Sequence, residues 1–112
     1  MNDRMRQASA LADSPGCGEI EKGLADIAEI VSGSSGSGIE FGFVDNALFL
    51  ARKHASSGDA AVRRAVINLL LSVGKMGPSW REAALETADE IRMQPSLYAG
   101  SVASEVVSEL TV

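Results

Sequence analysis

The chain has 112 residues, of which 46% are hydrophobic, 22% charged and 4% aromatic, and its formal net charge is −5. A chain of this length forms one compact domain, which excludes a two-domain enzyme. No apolar run approaches the roughly 18 residues that a membrane-spanning helix needs. The single cysteine, Cys17, cannot form an internal disulfide, so we expect a soluble, cytoplasmic protein.

Apolar residues recur at helical spacing along almost the whole chain, and no segment alternates in the way a half-buried strand does. The pattern predicts an all-α fold of five to six helices that pair as antiparallel hairpins in one domain, residues 1–112. The predicted helices span about 3–12, 19–31, 41 or 43 to 54, 60–73, 79–93 and 97–110.

Turn and cap signals separate these helices. Asp59 is placed to cap the fourth helix, and Ser79-Trp80-Arg81-Glu82 matches a capping box at the start of the fifth. Residues 32–38 consist mainly of Gly and Ser, a composition typical of a flexible loop.

The chain also resembles itself when it is shifted by 37 residues, because the apolar positions of the third and fourth helices then fall on those of the fifth and sixth. The matched pairs include Phe43 with Trp80, Leu48 with Leu85, Leu69 with Val106 and Val73 with Leu110. A match that spans helix, turn and helix indicates a repeated hairpin.

The segment Asp59-Ala60-Ala61-Val62-Arg63-Arg64-Ala65-Val66, followed by Leu69-Leu70 and Val73-Gly74, resembles the second helix of a HEAT-type repeat. The resemblance covers about residues 43–110, and the second copy departs from it with Ala99 and Gly100 in place of Val62 and Arg63. It implies stacked hairpins with an extended face that binds proteins or, in some members, nucleic acid. An irregular six-helix bundle would use the same apolar stripes in another connectivity.

Charge is distributed unevenly, since residues 52–81 carry +5 between segments of −6 (13–51) and −5 (82–112). One interpretation is that these cations lie at helix ends or pair with the acidic helices beside them, and the other is a basic patch for an acidic partner.

Candidate partner-binding residues lie off the core stripes. They are Arg52, Lys53, Arg63 and Arg64 around one hairpin turn, and Glu82, Glu86, Asp89 and Glu90 as an acidic face on the next helix.

Motifs for catalysis are weak. His54 is the only histidine and Cys17 the only cysteine, so the common zinc sites cannot form, and we expect no metal or cofactor. Cys17 lies beside the start of the second helix, a position that favours the reactive thiolate, although a thiol enzyme would also need a base. We interpret His54 as a helix-end residue bonded to terminal carbonyls, and Trp80 as a packing residue.

The leading hypothesis is a non-enzymatic protein that binds another protein, as an inhibitor, immunity or adaptor protein does. A nucleic-acid-binding helical protein that uses residues 52–81 is one alternative, and a small thiol enzyme that uses Cys17 is another. Each of these hypotheses is compatible with a homo-oligomer.

Overall fold

The computed structural model describes residues 3–33 and 41–111. Six helices occupy these ranges: α1 Asp3–Ala12, α2 Cys17–Gly33, α3 Phe41–His54, α4 Ala60–Gly74, α5 Pro78–Arg92 and α6 Leu97–Leu110. No strand occurs in either range, which confirms the all-α prediction. Of the predicted loop 32–38, residues 32 and 33 are helical and form the end of α2. Residues 34–38 lie outside the described residues.

The cap signals gave one correct and one wrong prediction. The carboxylate of Asp59 accepts the backbone N–H groups of Ala61 (2.9 Å) and Val62 (3.2 Å), which confirms the predicted N-cap of α4. The capping box of α5 is wrong, because Gly77 is the N-cap, no side chain caps the helix, and Ser79 lies inside it. Pro78 starts α5 instead, since its fixed φ suits the first helical turn and its missing N–H needs no partner there.

The helices lie in two rows, a first row of α1, α3 and α5 and a second row of α2, α4 and α6. Each helix contacts its neighbours in its own row and the helices adjacent to it along the chain. Among the described residues, neither α1 nor α2 contacts α5 or α6. The molecule measures 35 × 33 × 17 Å, so its short dimension corresponds to two layers of helices.

Contacts between helix ends show the direction of each row. Lys53 near the end of α3 pairs with Asp13 just beyond the end of α1, and Ser32 near the end of α2 donates to Ser72 near the end of α4 (3.1 Å). Helices within a row are therefore parallel, and the two helices of each hairpin are antiparallel. Helix α5 begins 37 residues after α3, and α6 begins 37 residues after α4, which is the shift that the sequence comparison found.

The hydrophobic core fills the space between the rows. The predicted stripe of α4 is buried throughout, with Leu69 at 0% exposure. The largest fully buried side chains include Phe43, Leu24, Ile27, Leu69, Leu70 and Ile91. Because these side chains come from all three hairpins, one continuous core holds the rows together.

Small residues bring α1 and α2 into backbone contact. Ala8 and Ala12 are buried in α1, and they face Gly23 of α2. A Cβ atom at Gly23 would lie 2.2 Å from the Ala12 nitrogen and 2.7 Å from the Ala8 carbonyl oxygen. Glycine is therefore required at this position for the first hairpin to close.

Candidate partner-binding surface

Two of the cations predicted to contact a partner join the ends of first-row helices. The Arg52 Nε lies 3.2 Å from a Glu90 carboxylate oxygen, which links α3 to α5. Lys53 pairs with Asp13 and so links α3 to α1. The ammonium group of Lys53 also holds the pKa of the Asp13 carboxyl below its usual value of 3.8, mainly through their hydrogen bond.

The other two predicted cations lie near the start of α4. Arg64 pairs with Glu105 across the α4–α6 contact. Arg63 donates to the carbonyl oxygen of Ser57 (2.7 Å), and its guanidinium carbon lies 4.1 Å from the centroid of the Tyr98 ring. These four cations of the basic middle segment are thus engaged by acidic, carbonyl and aromatic groups of the chain itself.

The acidic face predicted on α5 divides into paired and unpaired carboxylates. Asp89 pairs with Arg92 at 2.5 Å, and Glu90 is occupied by its contact with α3. Glu82 and Glu86 are exposed, and neither forms an ion pair with any described residue. Of the eight predicted partner-binding residues, these two keep their charge free for an outside partner.

Phe49 is the prominent feature of the first row that the sequence analysis missed. Its side chain is 51% exposed in the middle of α3. On one side it borders a groove of about 260 Å³ between α1 and α3. The groove is lined by Ser9, Ala10, Asp13, Asn46, Phe49 and Leu50. An exposed aromatic ring beside a partly apolar groove is a feature typical of protein-binding surfaces.

A signal for Phe49 was present in the sequence. The predicted inner stripe of α3 places Val44, Ala47, Leu48 and Ala51 on one side, and all four are buried. Phe49 lies on the opposite side of that helix at 100° per residue. A large aromatic residue off the core stripe therefore predicts exposure, whereas the groove beside it depends on how α1 packs and could not be predicted.

The parallel order of α3 and α5 places carboxylates on the other side of Phe49. Since Arg52 pairs with Glu90 and the two helices are parallel, Glu86 on α5 and Phe49 on α3 each lie about one turn before this ion pair and so at the same level. Asp45 precedes Phe49 by one turn on the same exposed side of α3 and has no ion pair among the described residues. The ring therefore lies between a groove and an acidic rim.

The other large exposed hydrophobic side chains lie together at the α5–α6 turn. Met93 is 85% exposed, Leu97 94% and Tyr98 49%. In the described part of the chain, no large hydrophobic side chain of this exposure comes from α2 or α4. In the first row, the exposed Phe49 ring, the groove beside it and the exposed carboxylate of Asp45 all lie within about one turn of α3.

The two residues considered for thiol chemistry have different environments. Cys17 is an exposed free thiol at the first residue of α2. His54 is 9% exposed, its Nε2 donates to the carbonyl oxygen of Ala12 (2.7 Å), and burial lowers the pKa of its imidazole below 6.5. The carbonyl that His54 binds is a terminal one, as expected, but it belongs to α1 rather than to its own helix.

Other candidate features offer less chemistry. A larger depression of about 560 Å³ at the α4–α5 turn is lined by Lys75, Arg81 and Glu82 together with Leu85, and thus mixes both charges. Trp80 is partly buried against the core, as predicted. The described residues contain no cluster of three or more His, Cys, Asp or Glu side chains able to hold a metal.

None of the helices in residues 3–33 and 41–111 has the length and apolar character required to cross a bilayer. Comparison with known protein families, curated proteins and solved structures gives no match.

Proposed function

We propose that the chain is a non-enzymatic protein-binding module whose contact surface is the outer side of the first row, centred on Phe49. The observation that carries this proposal is the half-exposed Phe49 ring on a rigid helix, between a groove and free carboxylates. Aromatic residues are enriched among the few side chains that dominate binding energy at protein interfaces. Rigid helices present such a ring at low entropic cost.

The arrangement of the hairpins supports a related proposal, that they are HEAT-like repeats. Support comes from the two rows, from contacts limited to neighbouring hairpins, and from the 37-residue spacing of the helix starts. Stacked hairpins give an extended surface rather than an enclosed pocket, which suits an inhibitor, immunity or adaptor protein better than an enzyme. The single exposed cysteine is compatible with the proposed cytoplasmic location.

The test is co-purification of the tagged full chain from its native cells, with partners identified by mass spectrometry and then measured as purified complexes. Phe49→Ala should weaken the affinity for the identified partner at least tenfold. Leu97→Ala is the matched control, because it removes a more exposed apolar side chain at a different edge, and it should leave the affinity unchanged. Equal affinity of the wild type and Phe49→Ala would contradict the proposal.

A further inference from the structure

The acidic rim beside Phe49 is uncompensated, whereas the neighbouring charges of the first row are paired. Arg52 neutralises Glu90, Lys53 neutralises Asp13, and Asp89 pairs with Arg92. The carboxylates of Asp45, Glu82 and Glu86 have no ion pair with any described residue. Of these, Asp45 and Glu86 place two free negative charges on the α3–α5 side of the Phe49 ring, whereas Glu82 lines the depression at the α4–α5 turn.

The α1–α3 side of the same ring is partly apolar. Ala10, Leu50 and the Phe49 ring line the groove. The Ser9 hydroxyl oxygen, which also lines it, is inaccessible to solvent and lacks a hydrogen-bond partner within the described ranges.

From this combination we infer that the Phe49 groove binds a cationic amphipathic helix of another protein, an inference that rests on the proposed function. The groove runs between two parallel helices, so a third helix can lie along it with apolar residues against Phe49 and Leu50. Lysine or arginine side chains on the flank of that helix would then meet Asp45 and Glu86. The free carboxylates of Asp45 and Glu86 repel phosphate groups, which disfavours nucleic acid as the occupant.

Charge also distinguishes this occupant from a second copy of the chain. The basic residues of the chain lie mostly in 52–81, and Arg52, Lys53 and Arg64 are already paired internally. A second copy with a net charge of −5 would bring further negative charge to an acidic rim. A cationic helix of a different protein therefore complements this rim better than a second copy of the chain does.

The experiment measures binding of a fluorescein-labelled synthetic helix with leucines on one face and lysines on the other, by anisotropy with the full chain. The control peptide has the same composition in an order that gives no apolar face. The first peptide should bind at least tenfold more tightly than the control, and binding should weaken strongly as salt rises from about 50 to about 200 mM. Equal binding of both peptides would overturn the inference, because only general charge attraction would remain.

Paired variants locate the binding site. Asp45→Asn/Glu86→Gln should weaken binding of the amphipathic peptide at least tenfold, and Phe49→Ala should do the same. Glu19→Gln/Glu21→Gln removes the same charge from exposed positions of α2 and should leave binding unchanged. All of these positions except Phe49 receive near-isosteric substitutions, and circular dichroism checks that each variant keeps its helix content.

The remaining outcomes separate this inference from the proposed function. If Phe49→Ala no longer binds the cellular partner but the wild type binds no cationic helix, the inferred cationic helix is wrong. The proposal that the chain binds a protein through Phe49 then stands. If the cellular partner and the peptide both bind Phe49→Ala normally, both proposals are wrong. A dimer of the chain that Phe49→Ala dissociates, seen by sedimentation, would assign the groove to a second copy and overturn the inference.

Discussion

The middle hairpin, α3 and α4, meets its two neighbours through different chemistry. At the first junction, toward α1 and α2, the buried His54 ring donates to the Ala12 carbonyl oxygen. At the second junction, toward α5 and α6, the Gln94 side-chain amide donates to the Arg52 carbonyl oxygen (2.9 Å), and Arg64 pairs with Glu105 at the surface. The first junction also carries an exposed ion pair, Lys53 with Asp13, so salt should act on both junctions. Only the first junction contains the chain's histidine and should respond to pH near 6.5.

The largest loss of stability should come from a side chain that both junctions share. Leu69 of α4 is fully buried, and α4 contacts helices of both neighbouring hairpins. Leu69→Ala should lower the free energy of unfolding by about 2–5 kcal/mol in urea denaturation. Leu71→Ala, on the same helix but only partly buried, should cost less. A loss below about 1 kcal/mol for Leu69→Ala would refute the assignment of α4 as the shared core helix.

The next smaller loss of stability should differ between alanine substitutions at two glycines, Gly23 in the α1–α2 contact and Gly74 in the α4–α6 contact. Gly23→Ala places a methyl group against α1 backbone atoms that cannot move without shifting the helix, so we expect a loss of about 1–3 kcal/mol or more. At Gly74 the new methyl group meets the flexible end of Leu110, with the nearest atom at 2.6 Å.

Alanine has a helix propensity about 1 kcal/mol more favourable than glycine, which offsets part of the clash at both positions, but the backbone clash at Gly23 cannot be relieved by a side-chain movement. Thermal unfolding of the two variants should therefore show the larger drop in Tm for Gly23→Ala. Equal drops would mean that the first hairpin is no more tightly closed than the contact between α4 and α6.

Acid should weaken the first junction before the second. Burial lowers the pKa of His54 below 6.5, so the unfolded chain binds this proton more readily than the folded one. His54 therefore contributes fully to stability above about pH 6.5, and this contribution falls as the pH is lowered further. The pKa of Asp13 is also lowered, but from 3.8, so its contribution is lost only in stronger acid.

Chemical denaturation between about pH 7 and pH 5 measures this effect. His54→Gln retains a side-chain N–H donor but cannot titrate, and it should remove the loss of stability in this range. Gln94→Ala is the control, because it removes a hydrogen bond of the second junction but no titratable group, and it should leave the pH dependence unchanged. A wild type and His54→Gln with the same pH dependence would show that His54 does not couple the first junction to pH.

The smallest effect should come from the exposed ion pair of the second junction. Arg64 and Glu105 have side chains that are 59% and 40% exposed, so solvent screens their attraction. Arg64→Ala should lower the unfolding free energy by about 0.2–1 kcal/mol, and the difference from the wild type should shrink as salt is added. A difference that salt leaves unchanged would mean that packing of the arginine, rather than its charge, supports this junction.

Local structure was predictable from the sequence because its causes lie within a few residues. The bounds of α1 and α6 agree with the predictions, and the N-cap at Asp59 is formed by its own helix. The capping box failed because Pro78 starts α5 one residue before Ser79. Here a competing local signal prevailed over the motif.

The candidate surface was only partly predictable, because it depends on contacts between residues about forty positions apart. The sequence identified Glu82 and Glu86 among eight charged candidates, but it could not show which of the eight would be neutralised within the chain. That distinction follows from pairs such as Arg64 with Glu105, separated by 41 positions. The groove beside Phe49 likewise depends on α1, which is distant in sequence.

The alternation of charge along the chain also specifies the order in which the hairpins assemble. An acidic first hairpin and an acidic third hairpin each pair with the basic middle one, through Asp13 with Lys53 and Glu105 with Arg64. Direct stacking of the first on the third would bring like charges together and leave the middle cations without partners. Weak individual ion pairs thus select against a misordered stack, even though each contributes little to stability.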